Sequence, residues 1–89
     1  MSEYLTQELD LSPNDVVQVT LSGCESDVFL VDYSNLCSFR RGGSFSYFGG
    51  HYRASPVHLS PPYHGRWHLV IKPTGGSVRA STTVFKNAA

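Results

Sequence analysis

Through most of its length the chain alternates apolar and polar residues with a period of two, the repeat of a strand buried on one face. In "YLTQELDL" the leucines at 5, 9 and 11 share one parity, with polar residues between them. "SPND" follows with Ser first and Pro second, the pattern of a type I turn. "VVQVTL" sets Val17, Val19 and Leu21 against Val16, Gln18 and Thr20. "VFLVDY" departs from the pattern by being apolar on both faces, which predicts a central strand covered from both sides. The short polar segment "SGCESD" between these two strands predicts a hairpin.

The rhythm breaks at "SNLCSFRRGG". Asp32 or Ser34 is placed to cap one short helical turn near 34–41, and Gly42 and Gly43 to end it. Alternation resumes in "SFSYF", is interrupted by Gly49–Gly50 as at a bulge or bend, and returns in "HYRASPVHL". "SPPYHG" predicts a rigid turn with scope for a cis proline. "RWHLVIK" sets Trp67, Leu69 and Ile71 against Arg66, His68, Val70 and Lys72, and after "PTGG" the segment "SVRASTTVF" alternates again. The expected architecture is all-β, an antiparallel sandwich or flattened barrel of six to seven strands, with residues 1–89 as a single β domain. Its expected core is Val17, Val19, Leu21, Val28, Leu30, Val57, Leu59, Trp67, Leu69, Ile71 and Val84.

Composition bounds this picture without changing it. Eighty-nine residues, 40% hydrophobic and 16% charged, suit a globular chain with one modest core. No apolar run approaches the roughly 20 residues of a membrane span. The acidic start "MSEYLTQELDL" is unlike a signal peptide, so a cytoplasmic location is expected. Cys24 and Cys37 are too few for a disulfide framework. Free thiols are expected in a reducing compartment, with a Cys24–Cys37 bridge as the alternative.

Charge changes the picture more. All seven acidic residues lie in the first 32 positions, and all seven basic ones from position 40 onward. Cross-strand pairing of acidic early strands with basic late ones accounts for this split. A bipolar surface for self-association or for an acidic partner is the other reading.

Four segments, "DVVQVTLSG", "YFGGHY", "SPVHL" and "GRWHLVI", resemble a small bacterial family of uncharacterised single-domain proteins whose domain also occurs joined to TIR signalling domains. The resemblance covers nearly the whole chain. It implies an all-β fold and an accessory or recognition role, and it carries no established active site onto these residues.

The candidate chemistry is concentrated between residues 44 and 71, which hold all four histidines and the tryptophan. The spacing H-x6-H-x5-H-x3-H across His51, His58, His64 and His68 lacks a following carboxylate to support a metal ligand, so no metal site is expected. A hairpin of "PVHL" and "RWHLVI" about Tyr63 sets His58 opposite His68, a pair suited to a pH response. Phe45, Tyr47, Phe48, Tyr52, Tyr63 and Trp67 form either a stacking platform or core. Tyr52 and Tyr63, beside bends, are the rings expected to contact a ligand. Arg40 and Arg41 precede Gly42–Gly43, where backbone N–H groups at a glycine turn can form an anion-binding concavity.

Catalytic signatures such as G-x-S-x-G, a P-loop or H-E-x-x-H are absent. A Cys37, His51 and Asp32 nucleophile arrangement is the remaining enzymatic alternative, beside a metal-dependent one. The function expected is a non-enzymatic recognition module that binds a protein or a small anionic ligand through Arg40, Arg41, His51, Tyr52, His58, Tyr63 and His68. No cofactor is expected and no membrane is among the partners. Nucleic acid is not expected at pI ≈ 6.9. A self-associating structural protein is the rival, and homo-oligomerisation is left open.

Overall fold

Two strands carry apolar residues on both faces, and the architecture follows from covering them. A computed structural model describes residues 4–86. In chain order the elements are β1 (Leu5–Leu11), β2 (Val16–Gly23), β3 (Ser26–Val31), α1 (Tyr33–Arg40), β4 (Phe48–Tyr52), β5 (Val57–Leu59), β6 (Gly65–Pro73) and β7 (Val78–Phe85). They form a sandwich of two antiparallel sheets, β1-β6-β3-β4 and β5-β2-β7, not closed into a barrel. The strands with two apolar faces, β3 and β6, are the central pair of the larger sheet.

The main core lies between the sheets. Leu11, Val28, Leu30, Trp67, Leu69 and Ile71 meet Val17, Val19, Val57 and Leu59 there, all buried. Nine of the eleven residues expected in the core are among these, and Leu21 and Val84 pack against them half-buried. Each such side chain contributes about 1.5–3 kcal/mol on leaving water.

A second, smaller core lies on the opposite face of the larger sheet. Phe29, Val31 and Val70 are buried there beneath Leu36 of α1, with Tyr4, Phe39 and Phe45 packed around them. The helix is the expected turn, extended to eight residues. Asp32 caps it by accepting from the Asn35 N–H at 2.9 Å. Gly42, at φ 76°, ends it.

Two pairings differ from expectation. The segments "VVQVTL" and "VFLVDY" do not form a hairpin, because β2 and β3 lie in different sheets. β2 has one polar face and suits the layer open to solvent. β3 has none and belongs where a helix covers its second face. Likewise β5 pairs with β2 and β6 pairs with β1 and β3, so "PVHL" and "RWHLVI" are not two arms of one hairpin. The cis proline falls at Ser55–Pro56, ahead of the "SPPYHG" turn. Cys24 and Cys37 are free thiols. Among the described residues no helix is long and apolar enough to cross a membrane.

The split charges meet across strands, as the pairing reading expects. Arg66 of β6 reaches Glu8 of β1 at 3.5 Å. Lys86, following β7, reaches the buried Asp15 at 3.0 Å and also donates to the Asp10 carbonyl. Asp15 closes the "SPND" turn as well, accepting from the Ser12 N–H at 2.8 Å.

The Gly49–Gly50 pair separates into two different roles. Gly49 has φ 149°, and a Cβ there would stand 2.2 Å from the Val28 carbonyl oxygen, whereas one on Gly50 would meet nothing within 4 Å. Gly49→Ala is therefore expected to lower the unfolding free energy by about 1–3 kcal/mol or more. Gly50→Ala should stay within about 0.5 kcal/mol of the parent. Urea unfolding of the two variants checks both values.

Candidate functional site

α1 is shorter than the sheet it covers, and its cover stops at the Gly42–Gly43 turn. Past that point the outer face of the larger sheet opens into a groove of about 410 Å³. Phe29 of β3, Phe39 of α1, and Phe45 and Tyr47 of the α1–β4 connection supply its rings. Asp27, Gly50, His51 and Lys72 line the rest together with the two turn glycines. The rings pack edge-on or tilted rather than flat. Phe29 lies 5.5 Å from Phe39 at 75°, 5.6 Å from Phe45 and 5.4 Å from Tyr47. That geometry aligns ring edges with ring faces and leaves one side of the cluster open. Tyr47 remains 50% exposed.

The connection that carries Phe45 and Tyr47 is held back onto the helix. Ser46 N–H donates to Asn35 Oδ1 at 2.8 Å, while Asn35 Nδ2 donates to Asp32 Oδ1 at 2.9 Å. At the other end of α1, Gly43 N–H bonds the Ser38 carbonyl at 2.8 Å and Gly42 N–H the Phe39 carbonyl at 3.1 Å. This is a Schellman closure. It also overturns the anion concavity expected at Arg40–Gly43, since the amides that would hold the anion are spent on helix carbonyls. The negative end of the helix dipole lies there too. Arg40 donates through Nε to the Tyr4 hydroxyl at 3.3 Å. Arg41 is exposed and forms no ion pair among the described residues.

On the rim, His51 bridges two carboxylates. Its Nδ1 lies 2.9 Å from Asp27 Oδ1 and its Nε2 3.0 Å from Glu25 Oε2, and Glu25 also takes Arg53 Nε at 3.0 Å. Both ring nitrogens donate only in the imidazolium form. The hydrogen bonds to Glu25 and then Asp27 raise the His51 pKa above its ordinary value. The bond from His51, with Arg53 nearby, lowers that of Glu25.

The remaining expected site residues are dispersed, and only His51 lines the groove. His58 lies exposed on the outer face of the smaller sheet, 3.0 Å from Gln18 Oε1. His68 is buried on the outer face of the larger sheet, its ring 6.2 Å from that of Tyr33. The His58–His68 pair therefore does not form, because the whole sandwich separates the two rings. Tyr52 packs half-buried against the main core.

Tyr63, outside the groove, acts as a strut between the helix cap and the core tryptophan. Its ring lies 4.9 Å from Trp67, its carbonyl accepts from Trp67 Nε1 at 3.2 Å, and its hydroxyl donates to Asp32 Oδ2 at 3.3 Å. The Asn35 N–H and the other donors lower the Asp32 pKa, while desolvation and the Asp32 charge raise that of Tyr63. Asp32 and His51 thus spend their polar atoms on other partners and do not assemble with Cys37. Among the described residues no three His, Cys, Asp or Glu side chains are grouped to hold a metal ion.

Sequence reasoning missed Phe29, Phe39 and Lys72 as groove residues. The available signal was "VFLVDY": a strand apolar on both faces requires a second cover, and the ring on its outer face marks where that cover ends.

The rim trio predicts a pH dependence of stability. A raised His51 pKa contributes stability that is complete below its unfolded value near 6.5 and is lost as pH rises through the folded value. A lowered Glu25 pKa contributes stability that is complete above 4.5 and lost as pH falls through the folded value. The trio's contribution is therefore greatest between those two limits. His51→Gln should flatten the alkaline limb of the stability profile and shrink the acid limb as well, because the bond from His51 is the largest cause of the lowered Glu25 pKa and Arg53 alone sustains what is left. Urea midpoints measured from about pH 3 to pH 9 read both limbs.

Neither curated proteins nor solved structures give a match to this chain. A family described as Domain of unknown function (DUF1883) matches residues 3–88, in keeping with the resemblance of the segments quoted above, and the chain belongs to that family.

Proposed function

We propose that the chain is a non-enzymatic recognition module whose groove binds a small amphipathic anion, a planar apolar group bearing a carboxylate. The observation that carries this reading is a ring-lined groove with an unpaired cation at its edge. A volume of about 410 Å³ falls within the range of about 300–1,000 Å³ typical of small-ligand pockets, which are apolar with a few polar groups that fix orientation. Phe29, Phe39, Phe45 and Tyr47 offer the apolar surface. Lys72 lines the same groove and has no ion-pair partner among the described residues. With His51 protonated, the rim holds three cations (His51, Arg53, Lys72) against two carboxylates (Glu25, Asp27), so its balance favours an anion. The recognition role implied by the family resemblance points the same way.

The test is an amide NMR titration with 1-naphthoate, its neutral carboxamide and acetate. Naphthoate should shift the signals of Gly42, Gly43, Gly50, His51 and Lys72. The carboxamide should bind about tenfold more weakly, the loss of one charge-assisted hydrogen bond, and acetate should leave the signals in place. Tyr47→Ala should weaken naphthoate about two- to tenfold, the worth of one aromatic contact. Equal binding of acid and amide, or no shifts from either at millimolar concentration, overturns the reading.

A further inference from the structure

We infer that β7 is a self-pairing edge, joining two copies of this chain into one continuous six-stranded sheet, β5-β2-β7-β7-β2-β5. An edge strand presents a row of unpaired N–H and C=O groups, and native sheets blunt such rows with charge, brevity, proline or irregular backbone. Three of the four edges are blunted in these ways. β1 alternates Glu8 and Asp10 along its outward face, so self-pairing centred on Glu8 or Leu9 opposes acids. β4 is five residues long and contains Gly49 at φ 149°. β5 has three residues and follows Pro56.

β7 has none of these devices. It runs eight residues without proline, glycine or lysine, is rich in β-branched residues, and carries one charge, Arg79. Its outer face is exposed, and Phe85 is 51% accessible. Arg79 forms no ion pair among the described residues.

Symmetry selects the register. A two-fold axis perpendicular to the sheet keeps inner residues opposite inner ones, so the residue numbers of opposed partners sum to an even value. Centring on Ser81 or on Thr82 pairs the most residues. Centring on Thr82 also sets Arg79 opposite Phe85 of the second copy, twice. Each guanidinium then covers an exposed ring, a cation–π contact, and the two arginines stay at opposite ends of the ladder. Ser81 faces Thr83, Ala80 faces Val84 and Thr82 faces Thr82, all favourable or neutral cross-strand pairs. A net charge of zero adds no long-range repulsion between copies.

The experiment is sedimentation velocity of the full chain from about 5 μM to 500 μM, where mass action shifts a reversible dimer. The parent should pass from monomer to dimer over this range. Ser81→Lys with Thr83→Lys places lysines opposite each other across the axis and should leave a folded monomer, checked by circular dichroism. Ser81→Lys with Thr83→Glu places opposite charges there and should restore the dimer. Phe85→Ala should weaken association about tenfold. A parent that stays monomeric throughout, or a double-lysine variant that is folded and still dimeric, overturns the inference.

Discussion

Everything else in this fold depends on the need to cover β3 and β6 from both sides. Val28, Leu30, Leu69 and Ile71 point into the sandwich, while Phe29, Val31 and Val70 point out of it. A two-sheet sandwich covers the first set and leaves the second exposed. The second cover is α1, whose eight residues fall below the roughly 12–15 at which an isolated helix becomes even marginally stable. Its existence therefore rests on Leu36 and Phe39 packing against the sheet, on the Asp32 cap and on the Gly42 closure. The dependence is mutual, since without the helix Phe29, Val31 and Val70 would face water. Because the helix is shorter than the strands beneath it, the cover is incomplete, and the groove is the part of the face left open.

Strand positions were legible because a period of two is a local property. The inner core was legible for the same reason: alternation tells which residues share a face. Sheet membership was not, since nothing local in "SGCESD" distinguishes a hairpin from a crossing between layers. The deciding signal was a comparison of two strands, one with a polar face and one without, and it had to be read as a statement about what lies above each. Misplacing β5 beside β6 followed from the same gap, and it produced the His58–His68 pair that the sandwich keeps apart. Tyr63 shows a different limit. A ring beside prolines and a glycine looks exposed, and it is, but its hydroxyl, carbonyl and face all serve Asp32 and Trp67. Of the site, His51 was legible, and Phe45 and Tyr47 were legible as candidate platform rings. Phe29 and Phe39 read as ordinary apolar positions until the end of the helix is known.

The segregation of charge along the chain becomes intelligible through topology. β6 returns beside β1 and β4 beside β3, so late basic or imidazole side chains meet early acids. Exposed pairs such as Glu8–Arg66 contribute about 0–1 kcal/mol each, too little to explain stability. Their effect is on choice of partner, because sliding β6 onto a strand of its own sign would oppose like charges. Asp15–Lys86 differs in kind, since Asp15 is buried and removal of its partners would leave a desolvated carboxylate.

The groove and the β7 edge belong to different layers, so occupation of one leaves the other free. In a two-fold pairing through β7 with its axis perpendicular to the sheet, both larger sheets lie on the same side of the joined layer. Both helices and both grooves then face the same direction. A ligand displayed in several copies on one surface would be met by two grooves at once. The second contact then forms at an effective concentration set by the rigid sheet rather than by free diffusion, which strengthens capture without any new contact. If the groove binds and the β7 edge pairs as proposed, weak binding at one and weak pairing at the other would reinforce each other on these terms, each multiplying the effect of the other.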